Sequence, residues 1–275
     1  MRATSRISGT LALVAALVLV ATDAQADPVR ANAGFNASTL GPIDDAPSAF
    51  TPIGFTVDFF GTNYSSLFVN NNGNVTFDAA LPAFTPFPLL TTSRVIIAPF
   101  FADVDTRTGG VVTYGTDTVD GHAAFGVNWL DVNHFLHFLS GPERNSFQLV
   151  LIDRSDIAAG DFDIEFNYRS IEWEAGFGSG ADTFGIGGFS ARVGYSNGST
   201  EAFELPGSAV NGAFLDSNLV TGLIHNKQDT VDGRYIFNVR NGVVVDPIPE
   251  PSTLALLGIA TAGAAWRRRR KAAKA

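Results

Sequence analysis

Phe162-Asp163-Ile164-Glu165-Phe166-Asn167-Tyr168 alternates without a break, with Phe162, Ile164, Phe166 and Tyr168 on one side and Asp163, Glu165 and Asn167 on the other. Successive side chains of a strand point to opposite faces, so this stretch predicts a β-strand with one face in a core and one toward solvent. The same grammar recurs on either side of it. Val111-Val112-Thr113-Tyr114, Ala123-Ala124-Phe125-Gly126-Val127-Asn128-Trp129 and Phe147-Gln148-Leu149-Val150-Leu151-Ile152 precede it, and Tyr235-Ile236-Phe237-Asn238-Val239 closes the series. Arg94-Val95-Ile96-Ile97-Ala98-Pro99-Phe100-Phe101 is a continuous apolar run that predicts a strand buried on both faces. Two hairpins are expected, one across Asn70-Asn71-Asn72-Gly73-Asn74 and one across Asn197-Gly198, because Asn-Gly supplies the positive φ of a tight turn. Helical periodicity is nearly absent between the terminal segments. The fold class is therefore all-β, a single antiparallel β-sandwich-like domain. Val95, Ile97, Phe100, Phe125, Trp129, Leu149, Leu151, Phe166, Ile236 and Phe237 are expected to share its core.

The two ends carry a different signal. Arg2 and Arg6 precede an apolar run over residues 11–21, and Ala24-Gln25-Ala26 satisfies the small-x-small cleavage pattern. Residues 1–26 are thus expected to be a secretory signal helix, and the mature chain to begin at Asp27. At the other end, Pro249-Glu250-Pro251 halts any helix or central strand. The apolar residues 252–266 that follow would span roughly 22 Å as a helix, short of the ~30 Å hydrocarbon core. Arg267, Arg268, Arg269, Arg270 and Lys271 would hold that end in the cytoplasm and leave everything before it outside. This order of motif, short hydrophobic helix and basic cluster resembles the PEP-CTERM sorting signal of bacterial exported proteins. The resemblance implies recognition by an exosortase-type sorting enzyme, transient inner-membrane anchoring with a cytoplasmic C-terminus, and a tie to exopolysaccharide or biofilm. The organisation expected is 1–26 signal, 27–49 lead-in, 50–240 β domain, 241–248 linker and 249–275 sorting tail.

Charge and composition narrow the partners. Residues 27–246 hold ten Lys+Arg against 25 Asp+Glu, a net −15. Such a field repels nucleic acid and attracts cations, so a nucleic-acid partner is set aside. There is no cysteine, which excludes zinc-thiolate, Fe–S and thiol-nucleophile chemistry and leaves stability to a core supplied by 23 Phe and 3 Trp.

The middle of the chain resembles the nidogen-like (NIDO) domain. The resemblance rests on Phe68-Val69-Asn70-Asn71-Asn72-Gly73, on Ile97-Ala98-Pro99-Phe100-Phe101-Ala102-Asp103-Val104-Asp105-Thr106-Arg107, and on Val127-Asn128-Trp129. Ile171-Glu172-Trp173, Ala191-Arg192-Val193-Gly194-Tyr195 and Phe203-Glu204-Leu205-Pro206-Gly207-Ser208 follow in the family's order. It covers about residues 50–240 and implies an extracellular adhesion-type module with no catalytic residues to transfer.

Four clusters carry possible chemistry. Asp103 and Asp105, two apart on extended chain, would point to one face, with Thr106 and the Gly109-Gly110 turn adding oxygens that suit Ca²⁺. The competing reading is a loop in which these carboxylates cap backbone N–H groups and pair with Arg107; the absent EF-hand glutamate favours it. Asp161 and Asp163, with Asp156, read as a solvated strand edge rather than a metal site. His134 and His137 lack the intervening glutamate of a zincin, and His122 and His225 are isolated. Glu172 and Glu174 lie side by side, unlike a glycosidase pair placed across a sugar, and Gly176-Phe177-Gly178-Ser179-Gly180 reads as a loop rather than a nucleophile elbow. Trp129 and Trp173 are expected in the core. The function expected is an exported, non-catalytic adhesion or matrix-associated module that needs no cofactor beyond the Ca²⁺ considered above. It would bind extracellular polysaccharide or a surface protein. The alternatives are a secreted polysaccharide hydrolase and a self-associating biofilm protein.

Overall fold

The computed structural model describes residues 27–136, 143–225 and 231–245, so the expected signal helix (1–26) and the C-terminal hydrophobic helix lie outside the described residues. Among the described residues, fourteen strands form two sheets in which neighbouring strands pair antiparallel. In chain order they are β1 Ser38–Leu40, β2 Thr51–Phe59, β3 Thr62–Asn70, β4 Asn74–Thr76, β5 Val95–Phe101, β6 Val104–Asp105 and β7 Val111–Val119. Then come β8 His122–His134, β9 Asn145–Asp153, β10 Phe162–Ser170, β11 Arg192–Asn197, β12 Ala202–Glu204, β13 Arg234–Arg240 and β14 Val243–Val244. The larger sheet runs β1-β7-β8-β9-β10-β13-β14 with β6 beside β8, and the smaller runs β12-β11-β5-β4-β3-β2.

The sheets meet through aromatic side chains, as face-to-face packing of two inner faces requires. Phe100 of β5 lies 5.2 Å from Phe147 of β9, Phe59 of β2 lies 6.2 Å from Phe162 of β10, and Tyr195 of β11 lies 5.6 Å from Phe237 of β13. Trp129 stacks on Phe147 at 5.1 Å, and both Trp129 and Trp173 are fully buried. Strand β5 is buried on both faces, as expected. Ile97 and Phe100 enter the main core, whereas Ile96, Ala98 and Phe101 pack under Leu81, Phe87 and Leu89 of the proline-rich loop. Both Asn-Gly hairpins form, with Asn70 opposite Asn74 and Ser196 opposite Ala202.

Three expectations need correction. The polar face of β10 is not solvated, because Glu165 and Asn167 are 1% and 0% exposed. The N-terminal segment covers them: Arg30 donates to both oxygens of Glu165 at 2.7 and 2.8 Å, and its backbone N–H donates to Gln148 Oε1. Asp161 and Asp163 are not an edge either, since β10 lies between β9 and β13. Asp163 is held by Arg154 at 3.0 Å and Arg240 at 2.7 Å, while Asp161 accepts from the Asn241 backbone. Ile236 is only half-buried, because it neighbours the core residue Phe237 on one strand and must face the other way. The 27–49 segment contributes β1, which pairs with β7.

Candidate functional site

The asparagine hairpin after β3 is a hub as well as a turn. Gly73 takes φ +70 there, and a Cβ at this position would overlap the Phe100 carbonyl. Asn72 uses its whole amide: Nδ2 donates to Asp45 Oδ1 at 2.8 Å and to the Ala83 carbonyl at 3.2 Å, while Oδ1 accepts from the Val104 backbone at 2.9 Å. Asn71 Nδ2 donates to the Val104 carbonyl, and Trp129 Nε1 donates to the Asn71 carbonyl. These bonds bind the hairpin to the Asp103–Arg107 segment. Bridges between Asp44 and Asp105 and between Pro47 and Asn70 bring the N-terminal segment alongside, and Thr106 exchanges hydrogen bonds with Ile43.

The outcome is a cluster of carboxylates. One oxygen from each of Asp44, Asp45 and Asp103 lies within 4.8 Å of the others. They line a cavity of about 130 Å³ together with Phe84, Phe135 and Gly178. Asp103 is 2% exposed, and its Oδ2 has no hydrogen-bond partner; Asp44 Oδ1 is likewise unpartnered. The loop beyond β10 closes over Asp103 so tightly that a Cβ on Gly176 would overlap its carboxylate. Burial, reinforced by the charges of Asp45, Asp44 and Asp105, pushes the Asp103 carboxyl up to about 8. Burial and the charges of Asp45 and Asp105 raise Asp44 to about 6, and Asp45 is raised chiefly by burial.

Asp105 has a different occupation. Arg107 donates to it through its backbone N–H and Nε at 2.9 Å and through a terminal nitrogen at 2.6 Å, and it also reaches Asp44 at 2.9 Å. Arg107 then lies over the Phe135 ring at 5.6 Å. The capping loop expected from the sequence therefore exists at Asp105, while Asp103 turns toward two acids the sequence reading did not include. The Gly109-Gly110 turn packs against Asp131 and Asn133 instead of this cluster.

The remaining candidates disperse. His134 is fully buried against Trp173 at 5.6 Å, and His137 lies outside the described residues. His122 faces Asp156 at 3.6 Å, and His225 contacts the Asp216 carbonyl. Glu174 is buried, accepting from Ser190 and the Gly212 backbone, whereas Glu172 is exposed and accepts from the Arg144 backbone. These two glutamates share no substrate position. Ala24, Ala26, Pro249, Glu250, Pro251 and the arginines 267–270 lie outside the described residues.

The profile of the nidogen-like domain matches residues 65–241. This chain belongs to the nidogen-like domain family. It also carries a PEP-CTERM protein-sorting motif, matched over residues 247–270. Alpha-tectorin of Mus musculus and of Homo sapiens are each 33% identical to it over 234 residues, covering 74% of this chain and 10% of theirs. Alpha-tectorin of Gallus gallus is 29% identical over 232 residues. The chain thus spans about a tenth of the length of these relatives. No solved structure matches it. Within this nidogen-like chain, Asp103 lies inside the matched span, while Asp44 and Asp45 lie before it.

Proposed function

We propose that this nidogen-like chain is an exported, non-catalytic module of the extracellular-matrix type, delivered to the cell surface through its sorting tail. The observation that carries this reading is the direct junction of the two parts: the nidogen-like match ends at 241 and the sorting motif begins at 247. In this reading an exosortase-type enzyme acts on Pro249-Glu250-Pro251 after residues 252–266 have held the chain transiently in the inner membrane. The folded domain then associates with extracellular polysaccharide or a surface protein. No helix among the described residues is long and apolar enough to cross a membrane.

The loop after β10 supports a contact role. Phe177, Phe184 and Phe189 on this loop are 52%, 53% and 62% exposed, and in this reading they are the side chains offered to the partner. Trp129 and Trp173 are enclosed and offer no such platform. Co-sedimentation of the purified protein with the producing cell's exopolysaccharide tests this reading. Retention that falls at least tenfold in the triple substitution of Phe177, Phe184 and Phe189 by Ser is the expected result. No retention of the wild type by polysaccharide or by washed cells would overturn it.

A further inference from the structure

We propose that Asp44, Asp45 and Asp103 form a Ca²⁺ site in the cavity beneath the β10–β11 loop, with water completing the shell on the side of Phe84 and Phe135. Ca²⁺ takes six to eight oxygens at 2.3–2.6 Å, so its ligands stand up to ~5 Å apart across the ion. The three carboxylates already fall within that span, at 4.8 Å or less. Mg²⁺, at 2.0–2.1 Å, would draw ligands to within ~4.2 Å and demands near-octahedral geometry. The cavity of about 130 Å³ leaves room for an ion and several waters.

The unpartnered Oδ2 of Asp103 points to a ligand independently of the clustering. A buried polar atom with no partner keeps its desolvation cost unrelieved, and native folds rarely tolerate one without a compensating group. Here the chain invests in holding that oxygen in place. Asn72 ties Asp45 and Val104 to one side chain, and Gly176 approaches the carboxylate more closely than any other residue type allows. Charge makes the same demand. Asp44, Asp45 and Asp105 all act on the Asp103 carboxylate, and the neighbouring guanidinium, Arg107, is committed to Asp105 and Asp44. Uncompensated carboxylates at such separations must bind either protons or a cation. Two of the three ligands, Asp44 and Asp45, come from the segment before the nidogen-like match, which begins at residue 65.

Calorimetric titration of the EGTA-stripped full chain with CaCl₂, in mild detergent, tests the proposal. One Ca²⁺ per chain is expected, with Kd in the ~10⁻⁴–10⁻³ M range of weak extracellular modules, and a rise in Tm over the same concentrations. Asp103→Asn and Asp45→Asn should each raise Kd at least tenfold, whereas Asp120→Asn, far along the β7–β8 turn, should leave it unchanged. Asp103→Asn replaces a buried carboxyl by a neutral amide of the same shape, so the Ca²⁺-free variant should melt no lower than the wild type. That comparison separates loss of the site from loss of the fold. MgCl₂ at equal ionic strength should reproduce less than a tenth of the effect. Absence of binding at ~10 mM Ca²⁺, an equal response to Mg²⁺, or an Asp103→Asn variant that binds like wild type would overturn it.

Discussion

Replacing Trp129 by alanine removes the side chain at the junction of the two sheets and the asparagine hub. Trp129 is fully buried, stacks on Phe147 with planes 12° apart, and donates to the Asn71 carbonyl at 2.9 Å. Truncating a buried aromatic to alanine costs ~3–5 kcal/mol through lost transfer energy and the cavity left behind. The Asn71 carbonyl keeps its bond from the Gly73 backbone N–H at 2.9 Å, so loss of the indole donor leaves no orphaned acceptor there. A loss of ~3–5 kcal/mol is expected, a large part of the ~5–15 kcal/mol that holds a domain together. Trp129→Phe keeps the stacking but forfeits the hydrogen bond, and should cost ~1–3 kcal/mol. Urea denaturation followed by Trp173 fluorescence measures both, with an unchanged m-value certifying that the denatured state is comparable. A loss below ~1 kcal/mol for Trp129→Ala would refute the packing described here and return Trp129 to the surface.

Other consequences follow from particular contacts. Arg30→Ala should cost ~2–3 kcal/mol by urea denaturation, less than the ~3–5 of a wholly uncompensated buried ion, because Arg234 remains 3.6 Å from Glu165; an unchanged midpoint would mean that the N-terminal segment does not cover β10. Burial raises Asp216 from 3.8 to about 6, so its proton is held more tightly in the folded state. Its contribution is therefore present below about pH 4 and lost as pH rises through about 6, and the Tm of wild type relative to Asp216→Asn should fall across that window; a flat difference would refute it. Gly176→Ala should weaken Ca²⁺ binding at least tenfold in the same titration, because its Cβ displaces the Asp103 carboxylate; unaltered binding would remove the loop from the site.

How much of this was legible in the sequence depends on range. Alternation at Phe162–Ser170 and Asn-Gly at the hairpins are local signals, and they placed strands and turns correctly. Alternation reports that two faces differ, however, and cannot tell a face in water from one buried under paired arginines, which is why Glu165 and Asp163 were misjudged. The surroundings of Asp103 were only partly legible for a related reason. Asp103 and Asp105 stand two apart and invite a local reading, but Arg107 claims Asp105, and the true neighbours of Asp103 arrive from some sixty residues upstream. One local hint existed, the adjacent carboxylates of Asp44-Asp45 before Ala46-Pro47, where the structure has Asp45 at φ +58. The asparagine run likewise announced a hairpin without revealing that Asn72 would fasten three segments together.

The central claim is export and processing of a matrix-bound nidogen-like module, and intact-mass measurement on the extracellular matrix fraction of the producing cells tests it most directly. The account predicts a chain that begins at Asp27 and lacks the basic end, Arg267, Arg268, Arg269 and Arg270, and that disappears from this fraction on Glu250→Ala. A 29.1 kDa full-length chain confined to the cytosol, or a matrix-bound product indifferent to Glu250→Ala, would contradict it.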